Sequence, residues 1–118
     1  ADSYDHLLAL HERAAAYFDS GNYSLAIGDY TQALTVEKMH NLSQFGLTHT
    51  NLLKRGMSYH ELGEYEEAVE DYTEAIRVSP DSARVYYLRA LSYQRINQLR
   101  LAEADLKKAH ELGLQTQS

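Results

Sequence analysis

Gly63-Glu64-Tyr65-Glu66-Glu67-Ala68-Val69-Glu70-Asp71-Tyr72-Thr73-Glu74-Ala75-Ile76 decides the fold, because the chain carries this stretch more than once. Gly21-Asn22-Tyr23-Ser24-Leu25-Ala26-Ile27-Gly28-Asp29-Tyr30-Thr31-Gln32-Ala33-Leu34 is a close copy. Asn97-Gln98-Leu99-Arg100-Leu101-Ala102-Glu103-Ala104-Asp105-Leu106-Lys107-Lys108-Ala109-His110 is a looser one. A unit of this length cannot bury its own apolar face. It must stack on its neighbours, which builds a solenoid with one extended concave surface. Such a surface points to recognition rather than chemistry.

Apolar residues recur at helical spacing around these copies, and Pro80 is the only proline. The reading is therefore all-α. Asp2 or Ser3 can cap a first helix running to about Ser20, with Tyr4, Leu7, Leu10, Ala14 and Tyr17 in one stripe. Gly21-Asn22 breaks it, and a second helix follows to about Glu37, burying Ala26, Ile27, Tyr30, Ala33 and Leu34. A second pair covers about Ser43–Leu62 and Tyr65–Val78, ended by Ser79-Pro80 because proline disfavours helix in the residue before it. A third covers about Ser82–Ile96 and Leu99–Leu112, with Gly113 as a left-handed cap.

These residues resemble the tetratricopeptide repeat, a helix-turn-helix unit of about 34 residues. The second copy carries Leu52, Gly56, Tyr59, Gly63, Tyr65, Ala68, Tyr72, Ala75 and Pro80 of its signature and lacks only the tryptophan. The third carries Tyr86, Ala90, Tyr93, Leu99, Ala102, Leu106 and Ala109, with Asn97 in the glycine's place. The first carries Leu10, Ala14, Tyr17, Gly21, Tyr23, Ala26, Tyr30 and Ala33 without the proline. The resemblance implies a right-handed superhelical solenoid of three helix pairs, an α-α superhelix filling residues 1–118 as a single domain. The repeats would span about 7–40, 49–82 and 83–116, with an inserted junction at about 41–48. Gly56, Ala68 and Ala75 are small because helices packed about 8 to 10 Å apart leave no room for more.

Two departures from the repeat stand out. Gly21 and Gly63 lie 42 positions apart, about eight more than the standard unit. With Ser43 able to cap and Phe45 and Leu47 apolar, the expectation is a third helix lengthened backwards by about two turns, with Tyr4 packing beside it. Gly46 counts against it. Second, Arg13, Arg55 and Arg89 are each followed 16 residues later by Asp29, Asp71 and Asp105. These read as structural charge pairs between the paired helices, with ligand binding the lesser alternative.

The family's concave face is lined by the first helix of each pair. Carried over, the groove would show His11, Ala15 and Phe18, flanked by Glu12 and Asp19, from the first copy. The second supplies Thr50, Leu53, Lys54, Met57, His60 and Glu61, and the third Arg84, Tyr87, Leu88, Leu91, Gln94 and Arg95. The resemblance thus implies a protein-interaction adaptor gripping a partner's peptide or helix, with Met57 as an adaptable contact and Lys54, Arg84 and Arg95 as polar anchors. The alternative is that these hydrophobes pack between repeats.

The best-known ligand of such domains is the acidic C-terminal tail of a heat-shock chaperone, held by a clamp of lysine, asparagine and arginine. The matching places hold His11, Ala15, Lys54, Arg84 and Leu88, so an atypical co-chaperone clamp is the runner-up. A third reading is a self-assembling scaffold. Leu99, Leu101, Leu106 and Leu112 give the last helix an apolar face that a second subunit, a missing stretch of the parent protein or the tail itself could cover.

Composition narrows the partners. With 118 residues and a net charge of -6, the chain lacks the basic footprint needed for nucleic acid or an anionic membrane. No apolar run approaches the roughly 18 residues of a membrane span. The absence of cysteine excludes thiolate chemistry and fits a reducing or an oxidising compartment, with the cytoplasm the favoured guess. The histidines at 6, 11, 40, 49, 60 and 110 include no pair three or four residues apart, so no metal site is expected. With no phosphate loop or nucleophile elbow, neither an enzyme nor a cofactor is expected.

Overall fold

A computed structural model describes residues 2–113 and contains six α-helices, with no strand among the described residues. They form three hairpins: α1 (Ser3–Asp19) with α2 (Tyr23–Met39), α3 (Thr48–Glu61) with α4 (Tyr65–Val78), and α5 (Ala83–Arg95) with α6 (Leu99–Glu111). Each hairpin packs on the next through its second helix, α2 against α3 and α4 against α5. The array is elongated, 47 × 27 × 24 Å, as stacked units require.

The hairpin turns share one mechanism. Gly21, Gly63 and Asn97 all adopt the left-handed conformation, with φ of 82, 79 and 61°. The next residue's amide then reaches back to a carbonyl one turn inside the helix: Asn22 to Tyr17 at 2.8 Å, Glu64 to Tyr59 at 2.8 Å and Gln98 to Tyr93 at 2.9 Å. This is the Schellman closure, and asparagine is the residue that best replaces glycine in it. Local chemistry therefore stops all three first helices at the same point.

Small residues let the paired helices cross closely. Ala14, Ala26, Ala33, Ala68, Ala75, Ala90, Ala102 and Ala109 are buried. Tyr30 and Tyr72 fill the space around them, and a Cβ on Gly56 would sit 2.8 Å from Tyr72 Cε1. The core is three clusters rather than one: Leu7, Leu10, Ala33 and Leu42; Ala14, Ala26 and Tyr30; and a larger one around Leu52, Leu53, Tyr72 and Val85.

The first junction departs from expectation. The third helix is not lengthened backwards; it begins at Thr48. The added length goes instead into α2, which is 17 residues long against 14 for α4, and into the 40–47 connection. Asn41 ends α2 in the left-handed conformation, φ 54°, and the Leu42 amide bonds back to the Glu37 carbonyl at 2.8 Å. Ser43–Phe45 makes one 3-10 turn, which Gly46 closes at φ 80°. A left-handed residue at each side of this turn prevents a continuous helix. Phe45 stacks on Tyr4, ring centroids 4.4 Å apart, so the turn packs against the start of α1.

Candidate functional site

The first helices of neighbouring hairpins, α1 with α3 and α3 with α5, touch one another, whereas the second helices barely meet across hairpins. The array therefore curves with α1, α3 and α5 on its inner side. Two hydrogen bonds tie that side together: His11 Nδ1 to Asn51 Oδ1 at 2.5 Å, and His60 Nδ1 with Ser92 Oγ at 2.8 Å. Asn51 and Ser92 are fully buried. Burial pushes His60 below its ordinary pKa, so its ring is neutral around pH 7. Both histidines thus act across the hairpin boundary. Their partners lie 40 and 32 positions away, a link that local spacing does not reveal.

Leu53 belongs to the core, not to the groove: it is 8% exposed and packs with Leu52, Tyr72 and Val85. Val85 of α5 belongs to the same cluster, so the next hairpin helps to cover it. Met57 and Leu88 are half-buried against the same cluster yet remain on the surface of a pocket. That pocket, about 110 Å³, lies between α3 and α5 and is walled by Met57, His60, Glu61, Tyr72, Leu88 and Leu91. It is smaller than the roughly 300 Å³ at which small-molecule sites begin, and fits a single side chain.

The cations of α3 and α5 have positions of their own. Lys54 Nζ stands 4.6 Å over the Phe18 ring, joining α1 to α3. Arg84 reaches the Met57 sulfur at 4.0 Å, and the Arg95 guanidinium covers Tyr65 at 5.0 Å. Arg84 and Arg95 are exposed, while Ala15, Thr50 and Tyr87 are half-buried on the same helices. Glu12, Asp19 and Gln94 are exposed at the rim.

The arginine–aspartate pairs lie apart from this face and form a ladder. Arg13 Nε, Arg55 Nε and Arg89 Nε bond Asp29, Asp71 and Asp105 at 2.6, 2.8 and 2.7 Å, each with a second, parallel bond. The ladder also crosses hairpins. Arg55 Nη1 donates to Thr31 and Arg89 Nη1 to Thr73, both at 3.1 Å, one hairpin back. Thr31 and Thr73 follow Tyr30 and Tyr72 at matching places in the repeat, which is the signal that could have revealed them. The Arg13 side chain is 59% exposed against 20% and 17% for Arg55 and Arg89, so the guanidiniums of the second and third hairpins are shielded and that of the first is not. Burial pushes Asp71 above the ordinary carboxylate range against the opposing Arg55, while the hydrogen bond to Asp71 raises Arg55 in turn, so desolvation and pairing oppose each other here.

The comparisons with known proteins agree with this architecture. Residues 56–97 match a model described as TPR repeat, and residues 83–112 one described as Tetratricopeptide repeat. Over residues 56–112 the chain matches tetratricopeptide-repeat models, and the whole array shares the fold of the solved domains below. Among solved structures, the Arabidopsis OM64 TPR domain superposes with a TM-score of 0.84 at 20% identity, over 98% of this chain and 89% of that one. The second TPR domain of human RPAP3, in complex with the HSP70 peptide SGPTIEEVD, gives 0.81 at 22% identity over 95% and 87%. The second TPR of Spaghetti (RPAP3), bound to the HSP90 peptide SRMEEVD, gives 0.78 at 24% over 90% and 91%. No curated protein matches the sequence. No described helix is long and apolar enough to cross a membrane, and no described group of acidic or histidine side chains could hold a metal ion.

Proposed function

We propose that the inner face of α1, α3 and α5 holds a segment of a partner protein, and that the chain acts as an adaptor by contact alone, with neither catalysis nor a cofactor. The observation that carries this reading is the pocket between α3 and α5, walled by Met57, Leu88 and Leu91 among others and sized for one anchoring side chain. Lys54, Arg84 and Arg95 stand on the same two helices, α3 and α5, as sources of polar contact with the partner's backbone or acidic groups. Peptide binding by tetratricopeptide neighbours such as the RPAP3 domains supports the mode of action. The runner-up is the acidic chaperone tail held by an atypical clamp of His11, Lys54 and Arg84. His11 is already hydrogen-bonded to Asn51, Lys54 stands over the Phe18 ring and Arg84 against the Met57 sulfur, so none of the three stands ready as a clamp, which favours the first reading.

The test is a peptide library selected on the intact chain, with affinities then measured against Leu91→Glu. A carboxylate in the pocket should weaken selected peptides at least about tenfold, the equivalent of 1.4 kcal/mol, with helicity and melting temperature unchanged. Unaltered affinity rejects the groove. Tight binding of SRMEEVD itself would shift the assignment to the chaperone-tail reading.

A further inference from the structure

The pocket between α3 and α5 is not wholly apolar. Tyr72 is among its lining residues and is only 1% exposed. Its hydroxyl makes no hydrogen bond among the described residues, yet it is not sealed from solvent as the Tyr30 hydroxyl is. The charges of Glu61 on α3 and Arg84 on α5 both reach this hydroxyl, which places it toward those two helices. Burial pushes Tyr72 above the ordinary phenol range, so the group keeps its proton and donates. His60, another lining residue, commits Nδ1 to Ser92, and its second ring nitrogen has no partner among the described residues. A buried donor covered without an acceptor is costly, so a wholly apolar anchor fills this space at a loss.

The matching place one hairpin earlier is closed at the same atom. Tyr30 is the counterpart of Tyr72 in the repeat, and its hydroxyl is buried without a partner. Phe18 stands where the second hairpin has His60 and packs against the Tyr30 cluster, and Lys54 Nζ lies over the Phe18 ring at 4.6 Å. Of the two buried tyrosines, only Tyr72 can meet a ligand.

The charges beside the Tyr72 hydroxyl oppose each other. Glu61 lines the pocket, and Arg84 stands 4.0 Å from the sulfur of Met57, which lines it too. An acidic anchor would meet Glu61 and a basic one Arg84, and either would press a full charge against Met57, Leu88 and Leu91. A neutral carboxamide escapes both penalties. It carries an acceptor and a donor at one end, so it suits the Tyr72 hydroxyl, the Glu61 carboxylate and either tautomer of His60. The two methylenes of glutamine suit walls of methionine and leucine, and the volume of about 110 Å³ admits one such side chain.

Resting on the groove reading above, we propose that this pocket takes the side chain of a glutamine in the partner segment, its carboxamide oxygen accepting from the Tyr72 hydroxyl and its nitrogen donating to the Glu61 carboxylate.

The test is a random peptide library selected on the full chain, followed by calorimetric titration of one selected peptide and its variants. The anchor is the residue whose side-chain protons give nuclear Overhauser contacts to the Leu88 and Leu91 methyls. A glutamine is expected there. Replacing it by Met, Glu or Lys should weaken binding at least about tenfold, and Tyr72→Phe should weaken the glutamine peptide by a similar factor while leaving the methionine peptide within about twofold. A different anchor, a methionine peptide that binds as tightly, or unchanged affinity of the glutamine peptide for a folded Tyr72→Phe overturns the proposal. Should that variant not fold, the ranking of the four peptides on the unaltered chain decides the question. Failure of the groove reading looks different: selected peptides would ignore Leu91→Glu and make no contact with these methyls, and the proposal would fall with it.

Discussion

Alanine placed at Gly56 and at Gly28 should move stability in opposite directions, although both glycines lie inside helices. Alanine is favoured over glycine in a helix interior by about 0.8 to 1 kcal/mol, so propensity alone predicts two stabilised variants. At Gly28 a Cβ would meet nothing within 4 Å, and the gain is realised in full. At Gly56 the same carbon would lie 2.8 and 3.0 Å from Tyr72 Cε1 and Cδ1 and 3.2 Å from Asp71 Cβ. Tyr72 is 1% exposed and cannot swing away, and Asp71 is held by Arg55. The helices must therefore separate. Overpacking of this kind costs about 1 to 3 kcal/mol, which after the propensity gain leaves Gly56→Ala destabilised by about 1 kcal/mol. The two variants should differ by about 2 kcal/mol, or on the order of 10 °C in Tm for a chain of this size. Urea unfolding followed by circular dichroism, with equal slopes for all three proteins, reads the difference directly. If Gly56→Ala is stabilised as much as Gly28→Ala, close helix crossing is not what places a glycine there.

Three further outcomes test other parts of the structure. Glu37→Gln should raise stability by about 1 kcal/mol at pH 7, because it replaces a buried carboxylate with a neutral group of the same shape. The sign reverses the usual carboxylate pattern: with its folded pKa raised, Glu37 keeps its proton longer in the folded state. The unaltered chain should therefore lose stability as pH rises from the unfolded value near 4 through the raised folded one. Thermal melts across that window should show the advantage of Glu37→Gln vanishing in acid, and a pH-independent advantage would refute the cause. Exchanging Arg55 and Asp71 should be milder than the sum of the single changes by at least about 1 kcal/mol, and strict additivity in a double-mutant cycle would dissolve the pair. Thr31→Val removes only the bond that Arg55 makes to the preceding hairpin, so a loss of about 0.5 to 1.5 kcal/mol is expected; no change in the urea midpoint would show that the ladder does not bind hairpins together.

The self-assembly reading rests on α6. Leu99 and Leu101 are 59% and 48% exposed, whereas Leu106 and Leu112 are half-buried, so the apolar face is narrower than the sequence suggests. Residues 114–118, which could cover it, lie outside the described residues, as does the end of a third repeat drawn to about 116.

What the sequence revealed was whatever depends on neighbours within one hairpin. Gly21, Gly63 and Asn97 mark their turns because a left-handed residue is a local requirement, and the spacing of Arg55 and Asp71 repeats because each hairpin repeats. The junction was harder to read. Phe45 and Leu47 fit helical periodicity, but the left-handed conformations of Asn41 and Gly46 override it, and two lone residues carry little weight against a pattern. Leu53 looks like a groove residue in the sequence because periodicity gives a residue's face and not what the next hairpin lays over it. The bonds of His11 and His60 have no local signal either, because Asn51 and Ser92 come near only once hairpins stack. Glu37 had no sequence signal at all, since its burial depends on the unusual length of the junction.

The central claim is that partners are held on the inner side of the stacked hairpins. Mapping a selected peptide by methyl and amide shifts, with a spin label on the peptide to report proximity, tests it most directly. The account predicts broadening centred on Met57, Leu88 and Leu91 and extending along α1, α3 and α5. Broadening concentrated on the outward faces of α2, α4 and α6, with the inner pocket undisturbed, would contradict it.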